Sequence, residues 1–201
     1  MRKSAESSHT ISIEPNGPIA ASAREPEPVR TPGEAPPSIR PPRAGDAARI
    51  WALVRETPAL DPNSPYAYLL LCTDFAATGA VAESGGELLG FVLGYRPPAR
   101  PEVCFVWQVG VRHDQRGRGL AAALLERAVA PALADGARFL EATVTPSNAA
   151  SRALFDGFAR RMRAPCSRAP AFPSHLFPGG SHEDEVRIRI GPLSPDRSLE
   201  P

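Results

Sequence analysis

The stretch "VCFVWQVGVRHDQRGRGLAAALL" (Val103–Leu125) constrains the fold of this chain more than any other. Val103–Val111 is apolar, β-branched or aromatic at most positions and reads as a strand. Two glycines, Gly117 and Gly119, then stand where Leu120, Leu124, Leu125 and Ala128 begin to repeat at helical spacing. Strand, glycine turn and helix therefore follow in immediate succession. The first amides of a helix have no partner within it, and the helix dipole adds partial positive charge at the same end. Glycines at that point let an anion approach the main chain closely, so a pyrophosphate can rest there. The competing reading is an ordinary tight turn. The stretch lacks the Lys-Ser/Thr ending of a nucleoside-triphosphate loop, and a dinucleotide fingerprint needs an acidic partner after the next strand of a parallel βαβ unit.

The remainder supplies one domain. With 201 residues and 42% apolar side chains there is material for a single core. Nine of the 24 prolines lie in residues 1–44, where no apolar period is sustained. Residues 1–36 are therefore expected to form a disordered tail, 37–193 the folded domain and 194–201 a short C-terminal tail. Ile39 enters a first strand. Asp46 is placed to cap a helix reaching Glu56, with Ala47, Ile50, Leu53 and Val54 on one face. Ser64 caps a second helix with Pro65 at its first position. "GAVAES" and "ELLGFVLGYRP" read as a hairpin across Ser84-Gly85-Gly86, with Val103–Val111 as the third strand of the meander. The helix from Leu120 runs towards Ala134, Arg138–Thr145 returns as a strand, and Ser147 or Asn148 caps a further helix. Asp184–Ile190 alternates as an edge or closing strand. The expected order is β-α-α-β-β-β-α-β-α-β: an α/β fold with a central mixed, twisted sheet flanked by helices.

Composition excludes several classes of function. A net charge of +1 gives no general attraction to nucleic acid or acidic membranes. The first residues lack the apolar core of a signal peptide, and no run is apolar for the thickness of a bilayer. Cys72, Cys104 and Cys166 lack metal-ligand spacing, so a reduced, cytoplasmic protein without a metal is expected.

"VGVRHDQRGRGLA" (Val109–Ala121) resembles the acyl-coenzyme-A signature of the GNAT acyltransferase superfamily, and "TPSNAASRALF" resembles its second coenzyme motif. The element order is also that family's. The resemblance implies that backbone amides of Arg116, Gly117, Arg118, Gly119, Leu120 and Ala121 hold the pyrophosphate of acetyl-coenzyme A. It implies too that the main chain of Val109, Gly110 and Val111 pairs with the pantetheine arm, while Asn148 and the helix carrying Phe155 flank the other side. Many members place a tyrosine near this helix start to protonate the leaving thiolate. This chain has Leu154-Phe155 there, and Phe155 cannot donate a proton.

"DPNSPYAYLLLCTDFA", "GYRPPARPEVCFVWQV", "LEATVTPSNAASRALF" and "LFPGGSHEDE" together resemble the branch of the superfamily that acetylates L-2,4-diaminobutyrate at its γ-amine in ectoine synthesis. That likeness spans roughly residues 37–193 and implies a homodimer serving osmotic stress. A diamino acid presents a carboxylate and two ammonium groups, and the attacking amine must first lose a proton. Asp61, Asn63 and Tyr66 are suited to gripping an ammonium; otherwise they form a capped turn with a core tyrosine. Trp107 offers a cation–π wall or simply core packing. His182 and Glu185 can serve as a base and its orienting carboxylate, as direct ligands, or as solvated surface. Glu141 is a further candidate base through water, or a strand carboxylate facing solvent or pairing with Arg138. Two other readings keep the coenzyme site: an acetyltransferase for another small amine, and a non-catalytic acyl-coenzyme-A sensor. The acidic and aromatic residues favour an enzyme, since a sensor has no use for an amine pocket.

Overall fold

The hairpin is where pattern and geometry meet most simply. Ala80–Ser84 (β2) and Glu87–Tyr95 (β3) pair antiparallel, and Gly85 and Gly86 turn between them with φ of 56° and 83°. Two successive left-handed residues make the tight turn whose twist matches its strands, and glycine takes both positions without strain. In this computed structural model, residues 36–58, 60–180 and 182–193 are described. The two expected tails lie outside them, apart from Pro36.

Among the described residues, seven strands form one sheet in the order β1-β2-β3-β4-β5-β7-β6. These are Ser38–Arg40 (β1), β2, β3, Val103–Val111 (β4), Phe139–Val144 (β5), Cys166–Phe172 (β6) and Glu185–Ile190 (β7). Every neighbouring pair is antiparallel except β4 and β5. Asp46–Arg55 (α1) and Pro65–Thr73 (α2) cover one face; Leu120–Ala134 (α3) and Ala149–Arg161 (α4) cover the other. Strand alternation divides the core accordingly. Ala80, Ala82, Val92, Leu140 and Ala142 pack with α3 and α4, while Val81, Phe91 and Leu93 pack with α1 and α2.

Local signals explain the helix ends. The Ser64 hydroxyl accepts from the Tyr66 amide at 3.3 Å, and Asn148 Oδ1 accepts from the Ser151 amide at 3.0 Å. Asp46 behaves otherwise than expected. It is the first helical residue rather than the cap, and its carboxylate gathers the Arg43 amide (2.8 Å), Arg40 (2.7 Å) and Arg49 (3.0 Å). Arg40 also bonds Glu83 of β2 at 2.8 Å, so one ionic cluster joins β1, β2 and α1.

Two strand expectations need correction. β6 was not foreseen because "CSRAPAF" contains a proline and is exposed along most of its length. An outermost strand needs neither apolar alternation nor a full set of amides. Since β6 closes the sheet, β7 is no edge: it lies between β5 and β6 with Ile188 and Ile190 buried.

What positions the functional site is the divergence of β4 from β5. Their parallel pairing runs from Val103↔Phe139 to Val106↔Ala142, whereas β4 continues to Val111 along β3 alone. The register slips just past that point, with Gly94 opposite Val106 but Leu93 opposite Gln108, leaving Trp107 as an extra residue. A bulge bends its strand and re-aims its side chains. Beyond Trp107 the β4 edge facing β5 is open, and a cleft separates it from the start of α4.

Candidate active site

The cleft leads first to the glycine turn. Gly119 sits at φ 75°, ψ 0° immediately before α3, and Gly117 has φ 74°. A Cβ added at either meets nothing within 4 Å, so the space before the turn is open, while the positive φ strains any other residue. Ala123 makes its helical bond back to the Gly119 carbonyl at 3.1 Å; the amides of Leu120, Ala121 and Ala122 precede that bond and point out of the helix end. Arg116 bonds the Val111 carbonyl (3.3 Å), fixing the turn against the end of β4.

A groove of about 360 Å³ runs along this turn, between Val109–Val111 and residues Asn148, Ala150, Ser151 and Leu154 of α4, with Thr57 and Leu60 at its edge. Gly110 has a different task from the turn glycines. A Cβ there would strike Phe91 at 2.6 Å and Leu60 at 3.0 Å, so glycine lets the strand lie flat between them. The groove has the features that an acyl-coenzyme-A arm requires: an open strand edge, apolar walls, and unpaired amides at a helix N-terminus for a pyrophosphate.

A second cavity of about 520 Å³ adjoins the groove and shares Leu60, Val109, Asn148 and Ser151 with it. Tyr95, Phe105, Trp107, Phe172 and Phe177 give it aromatic walls, and Asp61, Glu185 and His182 give it polar ones. Trp107 is held edge-to-face against Tyr68 with centroids 5.5 Å apart. The Asp61–Asn63 turn is suspended over the cavity by a short chain of bonds. The Tyr68 hydroxyl donates to Gln108 Oε1 (3.1 Å) and accepts from the Asn63 amide (3.3 Å), and Gln108 Nε2 donates to the Asp61 carbonyl (3.1 Å).

His182 Nδ1 lies 2.6 Å from the Glu183 carbonyl oxygen. A carbonyl only accepts, so Nδ1 carries the hydrogen, and Nε2 of the neutral ring is left as an acceptor. Nε2 lies 3.8 Å from Glu185 Oε1, and the Phe177 ring stacks on the imidazole with centroids 3.8 Å apart. Burial lifts the Glu185 carboxyl above its usual range. The Thr143 hydroxyl and His182 oppose that, while the negative charge of Asp61 adds to it. Among the described residues, Glu185 Oε2 is buried with no hydrogen-bond partner. Acceptors therefore converge on the cavity: His182 Nε2, an unpaired Glu185 oxygen and the Asp61 carboxylate.

This layout has counterparts among known proteins. The family model described as "Acetyltransferase (GNAT) family" matches residues 47–158. The chain belongs to the GNAT acetyltransferase family. The L-2,4-diaminobutyric acid acetyltransferase of Halalkalibacterium halodurans is 45% identical over 158 residues, spanning 79% of this acetyltransferase and 83% of the relative. That of Streptomyces coelicolor is 46% identical over 171 residues, 82% of this chain and 98% of the relative. Diaminobutyrate acetyltransferase EctA from Paenibacillus lautus, solved with its substrate L-2,4-diaminobutyric acid and coenzyme A, superposes with a TM-score of 0.75 at 42% identity. The match covers 78% of this chain and 95% of that one.

Within this acetyltransferase, several residues singled out from the sequence stand elsewhere. Glu141 is fully buried and does not line the cavity. Arg100 (2.5 Å) and Arg189 (2.6 Å) bond its two oxygens and Arg187 lies at 3.7 Å, because β7 sets Arg189 directly opposite it in register; Arg138 is not its partner. It anchors β7 to β5 instead of facing a substrate. Tyr66 is 65% exposed on the first turn of α2, and the inward tyrosine is Tyr68, two positions on. Arg118 is absent from the groove wall, since its guanidinium bonds Gln115 Oε1 at 3.3 Å. Phe155 is buried against the sheet and touches the second cavity, while its neighbour Leu154 lines the groove. Asp61, Asn63, Trp107, His182 and Glu185 come together in the second cavity. Val109, Gly110, Val111, Arg116, Gly117, Gly119, Leu120, Ala121 and Asn148 come together in the groove. Thr143, Phe177 and Leu60 went unremarked. Thr143 alternates with the buried Ala142 and Val144 where β4 leaves β5, which is the signal that marks it. Burial pushes the Cys72 and Cys104 thiols up to about 12, so neither serves as a nucleophile at neutral pH.

Proposed function

We infer that this chain transfers acetyl from acetyl-coenzyme A to the γ-amine of L-2,4-diaminobutyrate. The observation that carries the reading is the convergence of acceptors and aromatic faces on one cavity next to a groove fitted for acyl-coenzyme A. An ammonium has only donors to offer, so such a cavity selects it. When bound, acetyl-coenzyme A supplies a thioester carbonyl at the junction of the two cavities. Backbone amides of Leu120–Ala122 suit its pyrophosphate, and the open edge of Val109–Val111 suits its amide-bearing arm. Asp61 and Glu185 hold the acceptor's ammonium groups. His182 Nε2 takes the proton that the attacking amine must lose, and the imidazolium is stabilised by Glu185 across the 3.8 Å gap; as the carbon–nitrogen bond forms and the carbon–sulfur bond breaks, the imidazolium returns that proton to the departing thiolate. Trp107 and Phe177 exclude water from that exchange.

The four segments resembling diaminobutyrate acetyltransferases and the length of the relatives' alignments support placing the reaction in ectoine synthesis and osmotic stress. We place the protein in the cytoplasm as a homodimer. No described helix is long and apolar enough to cross a membrane, the three cysteines are free, and Tyr66, Leu69 and Leu176 offer exposed apolar surface for a second copy. Thiol release from acetyl-coenzyme A, with and without diaminobutyrate, tests the reaction, and NMR of the product tests which amine is acetylated. No acceleration by diaminobutyrate removes the reading; acetyl on the α-amine overturns the orientation. His182→Ala and Asp61→Ala should each lower kcat/KM for diaminobutyrate about a hundredfold with coenzyme binding largely spared.

A further inference from the structure

We propose that Glu183 is a positioning residue that sets the tautomer and aim of His182 by latching the loop that carries it onto the start of α4. The proposal rests on the reading of His182 as the proton acceptor. Between β6 and β7 the described residues 173–180 and 182–184 form a largely exposed connection beside the acceptor cavity. A loop of this kind holds a side chain in register only as firmly as it is itself fastened. Asp184 Oδ1 accepts from the Ser174 amide at 2.7 Å and closes the loop on itself. Glu183 makes the attachment to the rest of the protein: its carboxylate accepts from the Ser147 amide at 3.2 Å and from the Ser147 hydroxyl. Ser147 immediately precedes Asn148, the cap of α4, so a carboxylate there also meets the positive end of the helix dipole.

The backbone of the same residue does the second half of the work. Among the described residues, the acceptor holding His182 Nδ1–H is the Glu183 carbonyl, the next peptide along. A side chain bonded to an adjacent peptide is oriented no better than that peptide is. With the Glu183 side chain clamped to α4, its carbonyl stays beneath Nδ1, Phe177 stays against the ring face, and Nε2 stays turned to Glu185 and the cavity. Asn148 and Ser151 of the same helix border both cavities. The latch thus ties the proton acceptor to the element that borders both cavities, though Glu183 itself lines neither.

The test compares the full-length protein with Glu183→Ala and Glu183→Gln, the latter keeping an oxygen that can accept from Ser147. Long-range 1H–15N correlation spectra of the neutral imidazoles, with the His182 signals assigned by their loss in His182→Asn, report the tautomer without any substrate. Wild type and Glu183→Gln should show the Nδ1–H form, and Glu183→Ala a mixture containing Nε2–H. In steady-state assays Glu183→Ala should lose about tenfold in kcat/KM for diaminobutyrate, a loss of the size a helix cap sustains. Glu183→Gln should recover to within about threefold, and KM for acetyl-coenzyme A should move less than twofold. An unchanged tautomer in Glu183→Ala overturns the proposal, as does failure of Glu183→Gln to restore it. Equal changes in both KM values with a lowered melting temperature assign Glu183 a purely structural role and overturn it as well. The spectra need no acceptor, so absence of diaminobutyrate-dependent turnover in wild type removes the functional reading while the tautomer still decides on Glu183.

Discussion

Under the proposed function Glu185 sets stability against activity, and Glu185→Gln separates the two. Its side chain is 17% exposed, one oxygen is buried without a partner, and Asp61 adds like charge from across the cavity. Burial is the largest influence, and the carboxyl is raised above its usual range despite the opposing Thr143 hydroxyl and His182. A raised acid holds its proton in the native state where the unfolded chain has already released it. The stabilisation from this group is therefore complete below the ordinary glutamate range and is lost as pH rises through the raised value. Each unit of that rise costs the native state about 1.4 kcal/mol at neutral pH, or roughly 2–4 °C in melting temperature per kcal/mol for a protein of this size. Glutamine keeps the shape without the charge. Relative to wild type, Glu185→Gln should gain stability at about pH 7.5 and little or none at about pH 4, where the wild-type carboxyl is itself protonated. Activity should move the other way. A hydrogen bond to a charged group is worth about 1.5–3 kcal/mol, which predicts roughly a 10- to 150-fold loss of kcat/KM for diaminobutyrate. Thermal unfolding at both pH values and steady-state kinetics measure the two effects. A variant less stable than wild type at pH 7.5, or one equally shifted at both, refutes the reasoning, and so does unchanged kcat/KM.

Gly119→Val places a β-branched residue at φ 75° and disturbs the amides that open α3; KM for acetyl-coenzyme A should rise more than about tenfold while that for diaminobutyrate changes little. Equal effects on both substrates would mean misfolding instead. Asp46→Ala removes a carboxylate that is 4% exposed and leaves Arg40 and Arg49 with Glu83 as their remaining carboxylate partner, and should cost about 1–3 kcal/mol by denaturant midpoint. Burial pushes the Asp46 carboxyl up, but bonds from Arg40 and the Arg43 amide outweigh it and hold the group below its usual range. Its contribution is thus present above the ordinary aspartate range and lost as pH falls through the lowered value. The cost of Asp46→Ala should therefore shrink in acid, and a cost independent of pH would show that packing, not the ion pairs, is responsible.

What could be read from the sequence was whatever local chemistry dictates. Ser64-Pro65, Gly85-Gly86 and Asn148 announced their turns and caps because side-chain oxygens and left-handed glycines act within a few residues. One wall of the groove was legible for the same reason, being built from consecutive residues of β4, the glycine turn and the start of α3; α4, Thr57 and Leu60 complete it from elsewhere in the chain. The aromatic cavity draws on the turn before α2, on β3, β4, β5 and β6, on α4, and on the loop before β7 with the first residue of β7, so its membership depends on register. Register decided the fate of Glu141: no spacing along the chain reveals that Arg189, forty-eight residues later, stands opposite it. Tyr66 is exposed and Tyr68 buried because two residues of helix carry a side chain from one face to another, and both lie in a stretch too uniformly apolar to fix the phase.

The same dependence on register explains why the two cavities adjoin. Strands β4 and β5 must pair to close the core, and they do so as far as Val106 and Ala142. If the pairing continued, Val109–Val111 would spend its hydrogen bonds on β5 and no strand edge would remain for a ligand. The extra residue at Trp107 redirects β4 along β3 just where that pairing stops, turning the tryptophan into the acceptor cavity. One insertion in register thus frees backbone donors on one side and supplies an aromatic wall on the other. Thr143, the first residue of β5 beyond the paired segment, faces the gap and bonds Glu185. The cleft is consequently a property of the sheet itself, and the loop carrying His182 has only to close over an opening that the strands have already made.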